Sequence, residues 1–463
     1  MKRISKINIL TILLAGSLLS GCSNELDIEP KNSVDAGMAL NTSNDVKAAL
    51  VGAYTALVQN GTSSESLYGG RLMVSTDLMA YTSDLSFGGT YTQYLQMSRR
   101  GITANNSFVA NIWTTAYNAI NVCNNVLNKI DIVSSDSKDR VEGEAKFLRG
   151  LIYFDLVRTY SRAWNDGNPE TNPGVPIILT PTTPQNIAEA KNVTRGTVAA
   201  VYAQAIKDLT EAEAKLPDEN GSFATTYAAS SILARIYLTQ EKFELAETEA
   251  SKVLAANFTL MTSYKDEFPD PDPASHVNNT TEDVFAIQIS NQAGFNSFNE
   301  VYAPTDKSGR GELLITEAYL DRFESNDVRG KFYQGDRETG ELYTKKFFNA
   351  YGNVKMIRLA ELYLIRAEAR VRKSSPDIDG ALSDLNMIRR RAGLTDFESS
   401  NPSSIFEEVK LQRFLELSFE GQRLYDIKRY KENVTNDIPY NSKRLIFPIP
   451  QREIDANTNL VQN

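Results

Sequence analysis

Histidine is almost missing from this chain: His276 is the single one in 463 residues. That excludes Ser-His-Asp and Cys-His nucleophile systems, the HExxH motif and multi-His metal centres, all of which need at least one positioned imidazole. Cysteine is nearly as scarce, with only Cys22 and Cys123. If Cys22 is chemically modified, no intrachain disulfide can form and stability has to come from packing. Positive charge is also in deficit, 49 Lys+Arg against 58 Asp+Glu for a formal charge of −9. Nucleic acid is thereby excluded as a partner, since binding it takes a basic stripe or domain. The only long apolar run, Ile7 to Leu19, falls short of the ~20 residues that cross a bilayer. What remains is globular in composition, 41% hydrophobic and 23% charged, which excludes disorder for most of the chain and allows a large core or two to three ordinary ones.

Lys2, Arg3 and Lys6 precede that apolar run, which ends in Leu19-Ser20-Gly21-Cys22. A cationic start, a short apolar stretch and small residues form a secretory signal. The Cys directly after Leu-Ser-Gly resembles a bacterial lipobox. The resemblance implies removal of residues 1–21 as a lipoprotein signal peptide, acylation (a palmitate-type chain) at Cys22 and attachment to a membrane by lipid. The mature chain then carries 46 basic against 58 acidic side chains. Anionic headgroups repel such a surface, so attachment rests on the acyl chains alone.

Apolar residues recur at helical spacing in Val46/Ala49/Leu50/Ala53/Tyr54/Leu57, Ile112/Trp113/Ala116/Ile120/Cys123/Leu127, Val141/Ala145/Leu148/Ile152/Leu156 and Val198/Val201/Ala205/Leu209/Ala212, as expected of amphipathic helices. Small residues at matching positions indicate a repeat. The clearest unit runs from Ala229 to Asn257, with Leu233-Ala234-Arg235-Ile236-Tyr237-Leu238, a turn at Gln240-Glu241-Lys242 and Phe243-Glu244-Leu245-Ala246, close to the ~34-residue tetratricopeptide pattern. Helix pairs are expected at 45–59 with 108–130, 139–160 with 195–216, 225–239 with 242–256, and 356–373 with 377–391. Three stretches, 60–107, 161–194 and 257–355, show no sustained period and are rich in Gly, Ser, Thr, Asn and Pro. Long irregular segments of this kind commonly carry binding function. Strands are expected at Val284 to Ile289 and Tyr343 to Phe347. The predicted fold is mostly α: one domain over 22–463, a tetratricopeptide-like helical-repeat superhelix (pairs about 45–256 and 356–430) with loop-rich insertions, the largest at 257–355, and minor β.

Several motifs carry a more specific resemblance. They are Phe147-Leu148-Arg149-Gly150-Leu151-Ile152-Tyr153-Phe154-Asp155-Leu156-Val157-Arg158 followed by Gly174-Val175-Pro176; Arg358-Leu359-Ala360-Glu361-Leu362-Tyr363-Leu364-Ile365-Arg366-Ala367-Glu368-Ala369; Leu385 to Arg389 with Arg391-Ala392-Gly393-Leu394; Glu416 to Arg423 with Asp426-Ile427-Lys428-Arg429; and Phe447-Pro448-Ile449-Pro450. Together they resemble the SusD/RagB family of Bacteroidetes outer-membrane lipoproteins, from Cys22 to the last residue, and the acidic Ser23 to Pro30 resembles the surface-export tethers of such lipoproteins. The chain departs from the family pattern at Tyr160-Ser161, Gln412-Arg413 and Thr458. The charges inside these motifs, Arg149, Arg158, Glu361, Glu368, Arg389, Glu416, Glu420 and Arg423, lie beside apolar helix faces, where charge persists mainly by pairing. They read as helix-locking ion pairs, with no catalytic residue among them.

The resemblance implies a non-catalytic lid, exposed at the cell surface, that captures an oligosaccharide and delivers it to a SusC-like TonB-dependent transporter, with no cofactor and no metal. The alternative it implies is a RagB-like lid for a peptide importer. A glycosidase working with two carboxylates remains compatible with the lack of histidine, and a protein-binding scaffold with the repeat. Sugars offer apolar C–H faces to aromatic rings and hydroxyls to polar groups. With 21 Tyr and 20 Phe against 2 Trp, tyrosine dominates the supply. By comparison with the family, Tyr91, Tyr94, Phe298 and Tyr302 are the expected stacking residues, and Asp84, Asn299 and Arg71 the expected hydroxyl partners. Asp266-Glu267-Phe268-Pro269-Asp270-Pro271-Asp272-Pro273 reads as a solvated acidic turn, because alternating proline stiffens the backbone against calcium ligation. Cys123, on an apolar helix side, reads as an inert core thiol.

Overall fold

Helix starts follow local capping chemistry. Asn106, Thr197, Thr225 and Asn401 each accept hydrogen bonds from first-turn backbone N–H groups, donors with no partner inside a helix. The structure, a computed structural model, describes residues 40–58, 67–183, 186, 192–290 and 296–463. Cys22 and the expected cleavage point lie outside the described residues. In chain order the elements are α1 (Ser43–Val58), α2 (Arg71–Ala80), β1 (Leu85–Phe87), α3 (Thr92–Ser98), α4 (Ser107–Asn128), α5 (Lys138–Tyr160), α6 (Val198–Lys215), α7 (Thr226–Thr239) and α8 (Phe243–Leu254). They continue with β2 (Asp283–Ile287), α9 (Ser297–Tyr302), β3 (Leu313–Ile315), α10 (Glu317–Leu320), β4 (Tyr333–Asp336), β5 (Glu341–Thr344), β6 (Val354–Arg358), α11 (Leu359–Arg372), α12 (Ile378–Arg391), α13 (Pro402–Glu416), α14 (Arg423–Tyr430) and α15 (Gln451–Ala456).

Helices pair as the periodicity predicts: α1 with α4, α5 with α6, α7 with α8, and α11 with α12. The pairs stack in turn, α4 on α5, α6 on α7 and α8 on α11, so the repeat continues across the whole 257–355 insertion. This is a tetratricopeptide-like, mostly helical architecture with minor sheet. Its axis is α5, whose residues from Phe147 to Tyr160 are all buried. At Gly150 an added Cβ would sit 2.9 Å from Leu209 Cγ and 3.1 Å from the Ala205 carbonyl. The missing side chain is what lets α6 pack this close.

Two differences from expectation have physical causes. Residues 356–358 belong to β6, which pairs antiparallel with β2, so that hairpin's first helix starts only at Leu359. The stretch 60–107 contains α2, all ten of whose residues are buried. A helix without a solvent face shows no apolar period.

The motif charges are paired. Arg149 meets Asp208 at 2.7 Å and Arg158 meets Asp155 at 2.5 Å. Glu361 lies between Arg235 (2.6 Å) and Arg413 (3.1 Å), tying α7, α11 and α13 together. Glu368 takes Arg429 and Arg372, Arg389 takes Glu408, and Arg423 takes Glu432. Glu416 faces Arg358, Arg391 and Arg329, while Glu420 faces Arg358 and Lys346. Burial alone would raise Glu361 and Glu368, but the flanking guanidinium groups outweigh it and hold both carboxyls at about 2. Burial pushes the Cys123 thiol up to about 12, as an inert core thiol requires. The acidic turn is solvated only in part. Asp266, Asp270 and Asp272 are exposed, whereas Glu267 is buried against Lys355 (3.0 Å).

Candidate functional site

Two irregular stretches distant in sequence are zipped into one face by β1 and β3, which pair antiparallel with Leu85 opposite Ile315 and Phe87 opposite Leu313. Each strand carries its flanking loop along. The Gly88 N–H donates to the Glu312 carbonyl at 2.9 Å, and the Arg310 N–H to the Glu300 carbonyl at 2.7 Å. Tyr91 stands at the junction, half-buried. Its hydroxyl donates to Glu300 Oε1 at 2.9 Å, and the Arg310 guanidinium lies 4.7 Å from its ring centre. Burial and the adjacent Glu300 raise the phenol above its ordinary range, so Tyr91 stays a neutral donor. Arg310 is exposed and donates to Glu312 Oε1 (2.7 Å) and to the Thr90 hydroxyl (2.9 Å). Beside it Gly311, at φ +62°, would bring a Cβ to 3.1 Å from the Tyr343 ring, so that half-buried ring packs close to the turn. Phe87 is also half-buried. The face therefore offers three partly open rings, Phe87, Tyr91 and Tyr343, around a cation and its carboxylates. Rings of this kind can stack on an apolar ligand face while the charged groups accept or donate hydrogen bonds at its edge.

Of the residues expected here, Tyr91 alone keeps part of its side chain exposed, and the other six require correction. Tyr94 and Tyr302 have no exposed surface. Tyr94 packs edge-on to Phe108 at 4.8 Å and to Phe87 at 6.3 Å, while the Tyr302 hydroxyl donates to Asp77 Oδ2 at 3.2 Å. Phe298 is buried with its ring stacked on Phe347 at 4.3 Å. Asn299 donates from Nδ2 to the carbonyls of Lys307, Phe347 and Phe348, which exhausts its N–H donors. Asp84 is buried in an ion pair with Arg322 (2.6 Å), and Arg71, also buried, lies 3.9 Å from the Phe108 ring centre. Tyr94, Tyr302 and Arg71 thus join the loops to α2 and α4, while Phe298, Asn299 and Asp84 tie them to the Phe347–Phe348 segment and to Arg322. Phe295 lies outside the described residues, and Trp164 packs on Tyr202 at 5.0 Å. Arg310 and Tyr343 are not among the residues that the sequence pattern singles out for ligand contact. The signal available was Ser308-Gly309-Arg310-Gly311, a lone cation on a glycine-rich turn.

A stack of helical hairpins that holds a rigid, ring-bearing loop face defines a helical-repeat binding protein. Residues 26–238 match the SusD-like family described as starch-binding associating with outer membrane, and residues 305–441 match the SusD/RagB family. The chain is 24% identical to SusD-like protein P2 of Formosa agariphila, an alignment covering 99% of this chain and 98% of that protein. Among solved structures it is similar to a putative sugar binding protein of Bacteroides vulgatus, with a TM-score of 0.77 at 26% identity over 92% of this chain and 99% of the other. A SusD-like carbohydrate binding protein of the same species shares the fold, with a TM-score of 0.76 at 24% identity over 91% and 97%. The chain belongs to the SusD/RagB family. By family it is a nutrient-binding protein associated with the outer membrane.

Proposed function

We propose that the chain is a surface lipoprotein, anchored through acylated Cys22, that captures an oligosaccharide on the Tyr91 face and passes it to a SusC-like TonB-dependent transporter without altering it. The observation that carries this reading is the half-open Tyr91 ring, braced by Arg310 on its face and Glu300 on its hydroxyl. A pyranose C–H face stacks on such a ring, and ring hydroxyls find a donor in the exposed Arg310. The sugar-binding descriptions of the structural relatives support the same cargo.

The exposed charge of Arg310 at the centre of the face favours one second reading, a peptide cargo recognised by its carboxylates. Affinity electrophoresis of the purified protein against neutral polysaccharides, followed by calorimetry with mixed oligopeptides, separates the two. Glycan binding that falls about tenfold or more in Tyr91→Ala/Arg310→Ala, with no reducing ends released, is the expected result. Binding of peptides and of no glycan transfers the site to the second reading, and glycan turnover by the purified protein rejects the non-catalytic part.

A further inference from the structure

A second concavity shares no residue with the Tyr91 face. It lies between the α6–α7 loop, Asn257 and Phe258 after α8, and the entry to β2, and holds about 560 Å³. The α6–α7 loop is held from behind. Asn220 Nδ2 donates to the Glu144 carboxylate (3.0 Å) and the Ala224 carbonyl (2.9 Å), and the Ala224 N–H donates to Tyr54 Oη (3.2 Å). The Tyr54 ring then meets Phe223 edge to face at 5.0 Å. On the opposite side Tyr227 and Phe258 stand nearly perpendicular, centres 5.7 Å apart at 88°. The Phe223, Tyr227 and Phe258 rings are half-buried, and Phe285, the fourth ring of the lining, is buried. A perpendicular pair forms a corner in which one ring offers its face while the other closes the side.

Charge narrows the ligand. Asp218, Glu219 and Asn257 are exposed in the lining, and Asn279 is half-buried. The Asp283 carboxylate is engaged by Lys355 at 2.7 Å. Among the described residues no lysine or arginine lines the groove. Aromatic faces and carboxylates both repel anions, whereas carboxylate and amide oxygens accept hydrogen bonds from hydroxyls. The space of about 560 Å³ lies within the ~300–1,000 Å³ typical of a small-molecule pocket, enough for a saccharide.

We propose that this groove is a second saccharide site, selective for neutral glycan chains and closed to sulfated or uronic ones. The proposal shares with the preceding section the class of ligand and none of the residues, so the two fail separately. The test is affinity electrophoresis of the full mature protein in gels containing neutral glucan, mannan or xylan, and in parallel gels containing sulfated dextran or polygalacturonate. Tyr91→Ala/Arg310→Ala protein is expected to retain binding to at least one neutral polysaccharide. That residual binding is expected to fall about tenfold when Tyr227→Ala/Phe258→Ala is added, and to survive Tyr227→Phe/Phe258→Tyr, which keeps both rings. Added to Tyr91→Ala/Arg310→Ala, Asp218→Asn/Glu219→Gln changes exposed side chains at constant size, and is expected to allow retardation by sulfated dextran that the parent variant lacks. Loss of all glycan binding on Tyr91→Ala/Arg310→Ala alone overturns the second site and leaves the first standing. Retardation of Tyr91→Ala/Arg310→Ala protein by the anionic gels, or unchanged exclusion after Asp218→Asn/Glu219→Gln is added to it, overturns the selectivity. Binding to no neutral polysaccharide overturns both sites.

Discussion

Lys428 shows how a single residue departs from the pairing rule that governs its neighbours. Its side chain is buried on α14, and its ammonium reaches only the Arg158 carbonyl, at 3.5 Å. Burial lowers its pKa to about 7 against a partial counter-effect of Asp166. The unfolded chain holds that proton up to ~10.4, so between pH 7 and 10 the unfolded state binds more protons and stability rises with pH. Lys428→Met is expected to raise Tm most below pH 7, by several degrees, with the gain shrinking towards pH 10. Thermal melts from pH 6 to 10 check it, and a gain that grows with pH contradicts it. Residue identity alone did not separate ring from platform. Tyr91 and Tyr94 share one polar stretch and differ by less than a helical turn, yet one is half-open and the other sealed against Phe108. What decides is the pairing of β1 with β3, a contact between segments more than two hundred residues apart in sequence.

At the scale of elements, ion pairs and close approaches hold the hairpins. Glu361 ties α7, α11 and α13 through Arg235 and Arg413. Glu361→Gln leaves Arg235 buried without a counter-charge and is expected to cost ~3–5 kcal/mol, read as a lower denaturant midpoint with unchanged m. Glu361 and Glu368 are both held at about 2 in the fold, against ~4.3 when unfolded. Their contribution is complete above ~4.3 and disappears as pH falls towards 2. Acid titration followed by circular dichroism is therefore expected to show loss of helix across that window, and full helix retained at pH 2 would contradict it. The turn that presents Arg310 depends on Gly309, where a Cβ would meet the Ala303 carbonyl at 2.0 Å. Gly309→Ala is expected to cost ~1–3 kcal/mol and to weaken ligand binding together with Arg310→Ala, measured by melts and affinity gels on the same samples. Amphipathic helices such as α4, α6 and α8 were readable because each keeps one wet side. The α2 helix was not, because it is buried all round.

The whole molecule combines a repeat that the sequence pattern shows directly with loops whose geometry it does not. Periods and small-residue positions report the neighbour a helix packs on, so the stacking of α8 on α11 across a long insertion follows from both segments having the repeat pattern. Loop faces depend on contacts between segments with no period of their own, which is why six of the seven residues expected to meet ligand turned out to anchor it. Attachment is a property of the entire chain as well. Cys22→Ala is expected to abolish labelling by a palmitate analogue and to move the protein from the outer-membrane fraction to the soluble one. Persistence in the membrane fraction would contradict lipid anchoring. The central claim, that excursions between rigid hairpins hold the cargo, is met most directly by hydrogen–deuterium exchange of the protein with and without its best-binding oligosaccharide. The account predicts protection concentrated at residues 83–93 and 308–312 with the paired helices unchanged, and full binding with no protection in those two segments would contradict it.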